Sequence, residues 1–351
     1  MSAGVPESKL TVTLRTLTPL WTGDMDRDSG RAKESGLLGS LRFWYEGMVR
    51  EQGGRACDPV GGGCKKVETC EVCQLFGSTA VARRFRMEVQ GLRAVKVFFR
   101  LSAEVGTTSG WWLRKIFGES RNALWGPDFR LVFYARGEKP ERVMSELTLL
   151  LTTVAEQGGL GAKTQMGFGQ VEVVAVEGMT PQGTWGREDL LSQARSRRGS
   201  SAGVSAGEEF TIHRKRFFSR VYELTAHPYG KAVDVGERPE AKDYDQSYIP
   251  CSFDIRYKHS PTDGLRPRLE AKVKGAQRVL GVGGEDARGS RLHVSHLYGR
   301  RQDEEGRTVY SLKFWGDVDS EQRDPVLGVI DEYVRSRFEV KTWRDMTSLP
   351  W

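Results

Sequence analysis

Four of the five cysteines fall within seventeen positions, Cys57, Cys64, Cys70 and Cys73, in the pattern C-x6-C-x5-C-x2-C. Thiolates at this density are ligands for a borderline-soft cation, and the closing C-x2-C is the knuckle of a tetrahedral site. Gly61-Gly62-Gly63 and Lys65-Lys66 surround them without an apolar run, so a bound ion supplies the folding energy the loop lacks. We read the quartet as a structural zinc site. Four sulfur ligands leave no open position for a substrate, which argues against metal catalysis. Two disulfides are the alternative. They are disfavoured because Met1 to Lys9 has no apolar h-region, the expectation being a cytosolic, reducing setting. Cys251, within Tyr-Ile-Pro-Cys-Ser-Phe, reads as a small buried hydrophobe.

Asp24, Asp26 and Asp28 are spaced by two in a polar loop, a pattern that can serve a metal or a base but is more often simply solvated. His293 and His296 are three apart on an expected strand, where they point to opposite faces and cannot share one ion. His213, His227 and His259 have no evident partners in the sequence.

The stretch from Gly158 to Gly169, GGLGAKTQMGFG, carries five glycines in twelve positions between an apparent helix and an apparent strand. Such a loop lets a partner approach the main chain, and its amides can meet phosphate oxygens. Lys163 and Gln165 add a cation and an amide at the crest. The competing reading is a plain surface turn with a glycine helix cap. GxxxxGK[ST] is absent, and the glycines follow a helix where a dinucleotide fingerprint needs a strand, so ordinary nucleotide sites are excluded.

The elements around these residues follow from periodicity. Leu10, Val12 and Leu14 alternate on a half-buried strand that Pro19 closes. Leu37, Leu38, Leu41, Tyr45 and Met48 make one stripe of a helix that Ser35 can cap. Gly36 and Gly39-Ser40 at its start leave amides at the positive end of the dipole for a phosphate. Arg42 flanks the stripe, Arg50 lies further round, and Phe43 and Trp44 suit base stacking, with core packing expected for at least one of them. After the cysteines, Arg84 and Arg86 alternate with Phe85 and Met87, which offers cations on one strand face and core on the other. Strands are expected at 92–101 and 129–135, a helix at 140–157, and a strand from Gln170. This gives β-α-β-β-α-β with 129–135 as the inserted strand. Residues 186–209 read as a flexible linker or exposed loop.

A second unit follows: a strand at 250–257, a helix at 266–279, a glycine turn into a strand through His293, a strand at 308–315 and a helix at 324–337. Leu75-Phe-Gly-Ser through Arg84-Phe-Arg-Met matches Leu280-Gly-Val-Gly through Ser290-Arg-Leu-His, so the chain reads as a weak internal duplication.

The 351 residues are 38% hydrophobic and 28% charged, ordinary for a folded protein of two or three domains, with a formal charge of +7. No apolar run approaches the ~20 residues that span a bilayer. The charge is clustered. Arg266 to Arg301 holds nine Lys or Arg against three acids, and Arg83 to Arg100 six against one. Clusters beside strands and glycine turns are the footprint of a nucleic-acid face more than of a membrane helix.

Thr18-Pro19-Leu20-Trp21-Thr22-Gly23, Gly36-Leu-Leu-Gly-Ser-Leu-Arg-Phe-Trp, Leu75-Phe-Gly-Ser and Gly159-Leu-Gly-Ala-Lys-Thr-Gln-Met-Gly-Phe-Gly together resemble the RAMP superfamily of CRISPR proteins. Within it the chain is most similar to the family of first-numbered subunits of the type III-B Cmr effector complex. The resemblance implies an α+β fold of two tandem ferredoxin-like, RRM-like units. The first covers 1–185, with the cysteine insertion at 53–74 and the glycine loop at 158–169; the second covers 210–351. It implies a cytoplasmic, non-catalytic subunit near the 3′ end of the guide RNA that helps capture target RNA in antiviral defence, with other Cmr subunits, guide (crRNA) and target RNA as partners. Gly39, Ser40, Arg42, Lys163 and Gln165 would face RNA; the last two stand where the family usually has arginines. Lys33, Arg83, Arg84, Arg86, Arg266, Arg288 and Arg291 are further expected phosphate contacts. The rival is a RAMP-family endoribonuclease that processes guide RNA.

Overall fold

A computed structural model describes residues 8–23, 29–51, 54–57, 64, 70–97, 121–137, 139–180, 183–198, 217–226, 252–257, 264–281 and 289–346. Asp24, Asp26, Asp28, Cys251, Arg288, His213, His227 and His259 lie outside them.

In the first half, strand β1 (Ser8–Thr16) buries Leu10, Val12 and Leu14 as its alternation requires. Helix α1 (Glu34–Glu51) follows, with Leu37, Leu41, Tyr45 and Met48 buried along one face. It begins a residue before the expected cap: Lys33 supplies the first carbonyl, to the amides of Gly36 and Leu37, so Ser35 lies inside the helix. The short helix α2 (Glu71–Phe76) leads into β2 (Phe85–Gln90), β3 (Arg93–Val97), β4 (Arg121–Trp125) and β5 (Phe129–Ala135). Helix α3 (Pro140–Gln157) starts on proline, whose missing N–H costs nothing at that position, and it buries Val143, Leu147, Leu150, Leu151 and Val154. Each such aliphatic side chain contributes about 1.5–3 kcal/mol on burial. Strands β6 (Val171–Thr180) and β7 (Gly183–Gly186) complete an antiparallel sheet ordered β2-β5-β1-β6-β7.

Phe129–Ala135 is therefore a central strand, and β3 is the departure, pairing with β4 in a separate hairpin. The expected assignment was the reverse. Both stretches alternate, but Phe129, Leu131, Phe133 and Ala135 supply four buried side chains, whereas Arg93 and Ala94 are exposed. The expected linker also differs at its start. Arg187–Arg198 is helix α4, opened by the Gly186 amide donating to Asp189 and held by Leu190 and Leu191 in the first core.

The second half carries β8 (Phe217–Ala226), the short helices α5 (Ser252–Tyr257), α6 (Leu265–Lys272) and α7 (Gln277–Leu280), then β9 (Leu292–Val294), β10 (Tyr298–Gln302) and β11 (Thr308–Asp317). Helix α8 (Ser320–Arg337) and β12 (Glu339–Asp345) close it. The strand expected at 250–257 is a helix from Ser252 onward, and the helix expected at 266–279 is two: the first ends at Lys272, where Val273 is extended, and Gly275 at φ 71° turns the chain toward the second. The sheet runs β10-β11-β8-β12, with β9 also on β11. In both halves the first and third strands of the unit are central neighbours. Among the described residues, no helix is long and apolar enough to cross a membrane.

The two halves have separate apolar cores, but Phe217 and Trp315 of the second sheet belong to the first core. One face of the second sheet is thereby spent on packing the halves together.

Candidate nucleic-acid interface and metal centre

The cysteine loop closes on itself through its own amides. Cys70 caps α2, its Sγ accepting from the Cys73 amide at 3.5 Å and the Cys57 amide at 3.4 Å, while Cys64 Sγ accepts from the Cys70 amide at 3.4 Å. The four Sγ atoms lie within 4.8 Å of one another, Cys57 and Cys73 at 3.4 Å. A tetrahedron of metal–sulfur bonds of about 2.3 Å sets sulfurs about 3.8 Å apart, so the set fits a closed four-thiolate site. All four are free thiols. Burial pushes the Cys57 thiol up; for Cys70, burial is outweighed by the two amide donors and the net shift is downward.

Arg42 joins this centre to α1. Its Nη2 donates to Cys73 Sγ at 3.3 Å, Nη1 to the Gly77 carbonyl at 2.9 Å, and Nε to Glu46 at 2.9 Å. The guanidinium expected on RNA thus holds the Leu75-Phe-Gly-Ser turn and a candidate metal ligand.

The glycine loop is neither a plain surface turn nor a row of open amides. Gly161 donates to Ser40 Oγ at 2.9 Å, Ala162 to the Trp21 carbonyl at 2.7 Å, Leu160 to Gly169 at 2.8 Å and Gly169 to Pro19 at 2.9 Å. Thr18 Oγ1 donates to the Gly167 carbonyl and accepts from the Gln170 amide, both at 3.0 Å. Met166 and Gly167 close a 3-10 turn over Thr164–Met166. The glycines serve packing: a Cβ on Gly158 would sit 1.9 Å from the buried Trp44 ring, and one on Gly161, at φ 86°, would sit 2.5 Å from the Trp21 carbonyl. The amides foreseen for phosphate are thus largely occupied, and the loop's outer rim is what remains for a ligand.

That rim gathers several expected residues. Ser40 and the loop are bonded directly, and the Trp44 indole donates to the Gly159 carbonyl at 3.1 Å. The Lys33 amide donates to Thr22 Oγ1, next to Trp21, and the Lys33 side chain is exposed. Lys163, the one described non-glycine residue with positive φ, sets its Nζ 3.6 Å from the Trp21 ring centroid. Gly39 is exposed with open space beside it, and Phe43, one turn on, is 56% exposed while Trp44 is 5%. Core packing claims Trp44 and leaves Phe43 outward. The Gln165 main-chain carbonyl accepts from Arg256, and the residue is half-buried.

The remaining expected cations are dispersed. Arg84 is exposed and borders a cleft with Tyr45, Glu71, Arg142 and Glu146. Arg83 donates to the Phe85 carbonyl, and Arg86 pairs with Glu88 over the Tyr134 ring. Part of the second cluster is paired with acids in space. Arg266 meets Glu270, Lys272 meets Glu332, Arg278 meets Asp319, Arg291 meets Asp317 and Arg301 meets Glu223. Five of the nine cations counted along the sequence therefore meet acids, from α6 itself and from β8, β11, α8 and their connections.

His293 and His296 both border the glycine loop, since β9 ends at Val294 and strand alternation no longer governs His296. His293 stacks on Trp315 and its Nδ1 lies 3.0 Å from Thr164 Oγ1; His296 Nδ1 accepts from the Ser252 amide at 3.1 Å. Burial lowers both to about 3, Arg256 adding to the effect at His293. They are neutral rings inside the junction between the halves.

Trp21 and Thr18 received no role of their own from the sequence, although the motif carrying them was singled out. Lys313 gave no signal, being one lysine in an apolar strand.

Residues 13–172, which span β1, α1, the cysteine loop, the glycine loop and the start of β6, match the family model of the RAMP superfamily. The family whose model these residues match is the one recognised from the motifs. No curated protein matches it. Among solved structures, Cmr1 from Pyrococcus furiosus in its apo form is similar at 16% identity and a TM-score of 0.49, covering 98% of this chain and 99% of that one. A chain of the Type III-B Cmr-beta complex bound to cognate target RNA is similar at 12% identity and a TM-score of 0.44, covering 94% of this chain and 100% of that one.

Proposed function

We propose that the chain is an RNA-binding, non-catalytic subunit of a type III-B effector complex, built of two ferredoxin-like units. In this reading it sits near the 3′ end of the guide RNA, works in the cytoplasm with other Cmr subunits, and helps capture target RNA. The observation that carries it is the bond between Ser40 and Gly161, which brings two RAMP motifs far apart in sequence into one rim with Lys33, Gly39, Phe43 and Lys163. Cations there meet phosphates and Phe43 offers a stacking face, while base pairing to the guide supplies sequence. The four cysteines hold zinc, which orders the loop and fixes α2 beneath the rim.

The experiment is binding of labelled single-stranded RNA over a salt series with cleavage read in parallel. Affinity should fall about a thousandfold between low and moderate salt if about six phosphates are neutralised, and Lys163→Ala should reduce the slope. Intact RNA is expected. Cut RNA would turn the reading to the endoribonuclease, for which neither buried histidine is placed as a base.

A further inference from the structure

Lys313 lies on β11, on the face of the second sheet that packs against the first half, and it is 4% exposed. Its Nζ donates to the Ala155 carbonyl at 3.0 Å and the Gly158 carbonyl at 3.4 Å. These carbonyls belong to the last turn of α3 and the first residue of the glycine loop, so an ammonium there meets the negative end of the helix dipole. Further along, the same loop is gripped by the same half. Thr164 meets His293, the Gln165 carbonyl meets Arg256, and a Cβ on Gly167 would sit 2.7 Å from the His296 ring. Lys313 is itself fixed, since its amide donates to Ser295 Oγ at 2.8 Å and its carbonyl accepts from the Ser295 amide at 2.9 Å.

We propose that Lys313 is a positioning residue for RNA binding: the second unit acts on RNA through the first, clasping the glycine loop in the shape that presents its rim. This rests on the RNA-binding reading of that rim. The lysine does not reach RNA, being buried beneath the loop. A lysine dehydrated in this way loses its proton far more readily than in water, down to about 7, with Arg344 of β12 pushing the same way and Glu156 of α3 opposing. Val221 of β8 is the register partner of both Lys313 and Arg344, so these two cations share one face of the sheet. His293 and His296, the other titratable groups gripping the loop, change charge well below neutrality.

The test compares full-length wild type, Lys313→Met, Lys313→Gln and Lys163→Ala by amide hydrogen exchange over 158–169 without RNA and by RNA affinity over a salt series. Lys313→Met should speed exchange at Gly158, Leu160, Gly161 and Ala162 by about tenfold, as expected when a helix-terminal contact is removed. RNA affinity should fall by a similar factor with the salt slope unchanged. Lys313→Gln, which keeps a donor, should recover part of both. Lys163→Ala should leave exchange alone and lower the slope by about one. In wild type, loop protection relative to the intrinsic base-catalysed rate should change between pH 6 and about 8, and this change should vanish in Lys313→Met. Unchanged exchange in Lys313→Met, or a slope lowered as in Lys163→Ala, overturns the proposal. If Lys313→Met does not fold, Lys313→Gln decides: no pH shift lost and no change in exchange overturns it equally. Wild type failing to bind RNA at low salt defeats the RNA reading, and the exchange comparison still decides the clasp.

Discussion

Arg42 and Arg266, one in each half, make the same contacts. Each guanidinium pairs through Nε with the glutamate one turn further on, Glu46 at 2.9 Å and Glu270 at 3.0 Å, and each donates to the carbonyl of a glycine ending a short helix, Gly77 at 2.9 Å and Gly281 at 3.3 Å. The glycines match too, with φ, ψ of 82°, 167° and 75°, 164°. The two halves thus share this contact as well as the order of their four central strands. They differ in the third partner, Cys73 Sγ for Arg42 and the Leu280 carbonyl for Arg266, and in the glycine loop that the first half inserts before its last strand.

This pairing predicts a graded cost. Arg42→Met should destabilise by about 2–3 kcal/mol, leaving the Gly77 carbonyl, Glu46 and Cys73 without their donor, and Arg266→Met by about 1–2 kcal/mol, because Glu270 is 42% exposed against 13% for Glu46 and water can replace more of what is lost. Denaturant midpoints at constant m-value measure both. Equal losses would remove any special coupling of Arg42 to the cysteine centre.

The purified chain should hold about one zinc. Cobalt substitution should give the absorption of a four-thiolate tetrahedral site, and Cys73→Ser should abolish it. Chelation should lower the melting temperature, since site formation and loop folding are one process. Metal absent by elemental analysis, with unchanged melting in chelator, would discard the centre.

Gly158 and Gly39 should respond oppositely to alanine. At Gly158 the new Cβ meets the fixed Trp44 ring at 1.9 Å, a clash costing about 3 kcal/mol. At Gly39 nothing lies within 4 Å, so alanine should stabilise α1 by about 0.5–1 kcal/mol while weakening RNA binding at the rim. Thermal melts and RNA titrations of the two variants separate these effects.

Acid should open the junction between the halves. His293 and His296 titrate near 6.5 when unfolded and about 3 when folded, so between these values the unfolded chain binds more protons and stability falls as pH falls. Lys313 gives the complementary slope. Its value of about 7 when folded, against 10.5, makes stability rise with pH from about 7 to 10. Urea denaturation across pH 4–10 checks both limbs, and His296→Phe should flatten the acid one.

Much of this was readable in the residues. The cysteine quartet, the stripes of α1 and α3, the alternation of β1 and the glycine loop are local patterns, and local sterics and periodicity fix them wherever they stand. Short segments were less legible: 252–257 alternates in a way that suits a strand or a helix turn equally, and only its surroundings decide. Charge was least legible. A window of sequence counts Lys272 as an open cation, yet its partner Glu332 comes from α8. Arg42 and Arg266 looked alike as basic residues on a polar helix flank, but their partners from later turns are a sulfur and three carbonyls. The sequence by itself determined the long elements and the cysteine quartet whose spacing suits a metal. Only the tertiary structure decided which cations remain for a ligand, that the histidines are buried and neutral, and that a lysine of the second half holds the loop of the first, because burial and Coulomb partners depend on distances in space that adjacency along a chain does not set.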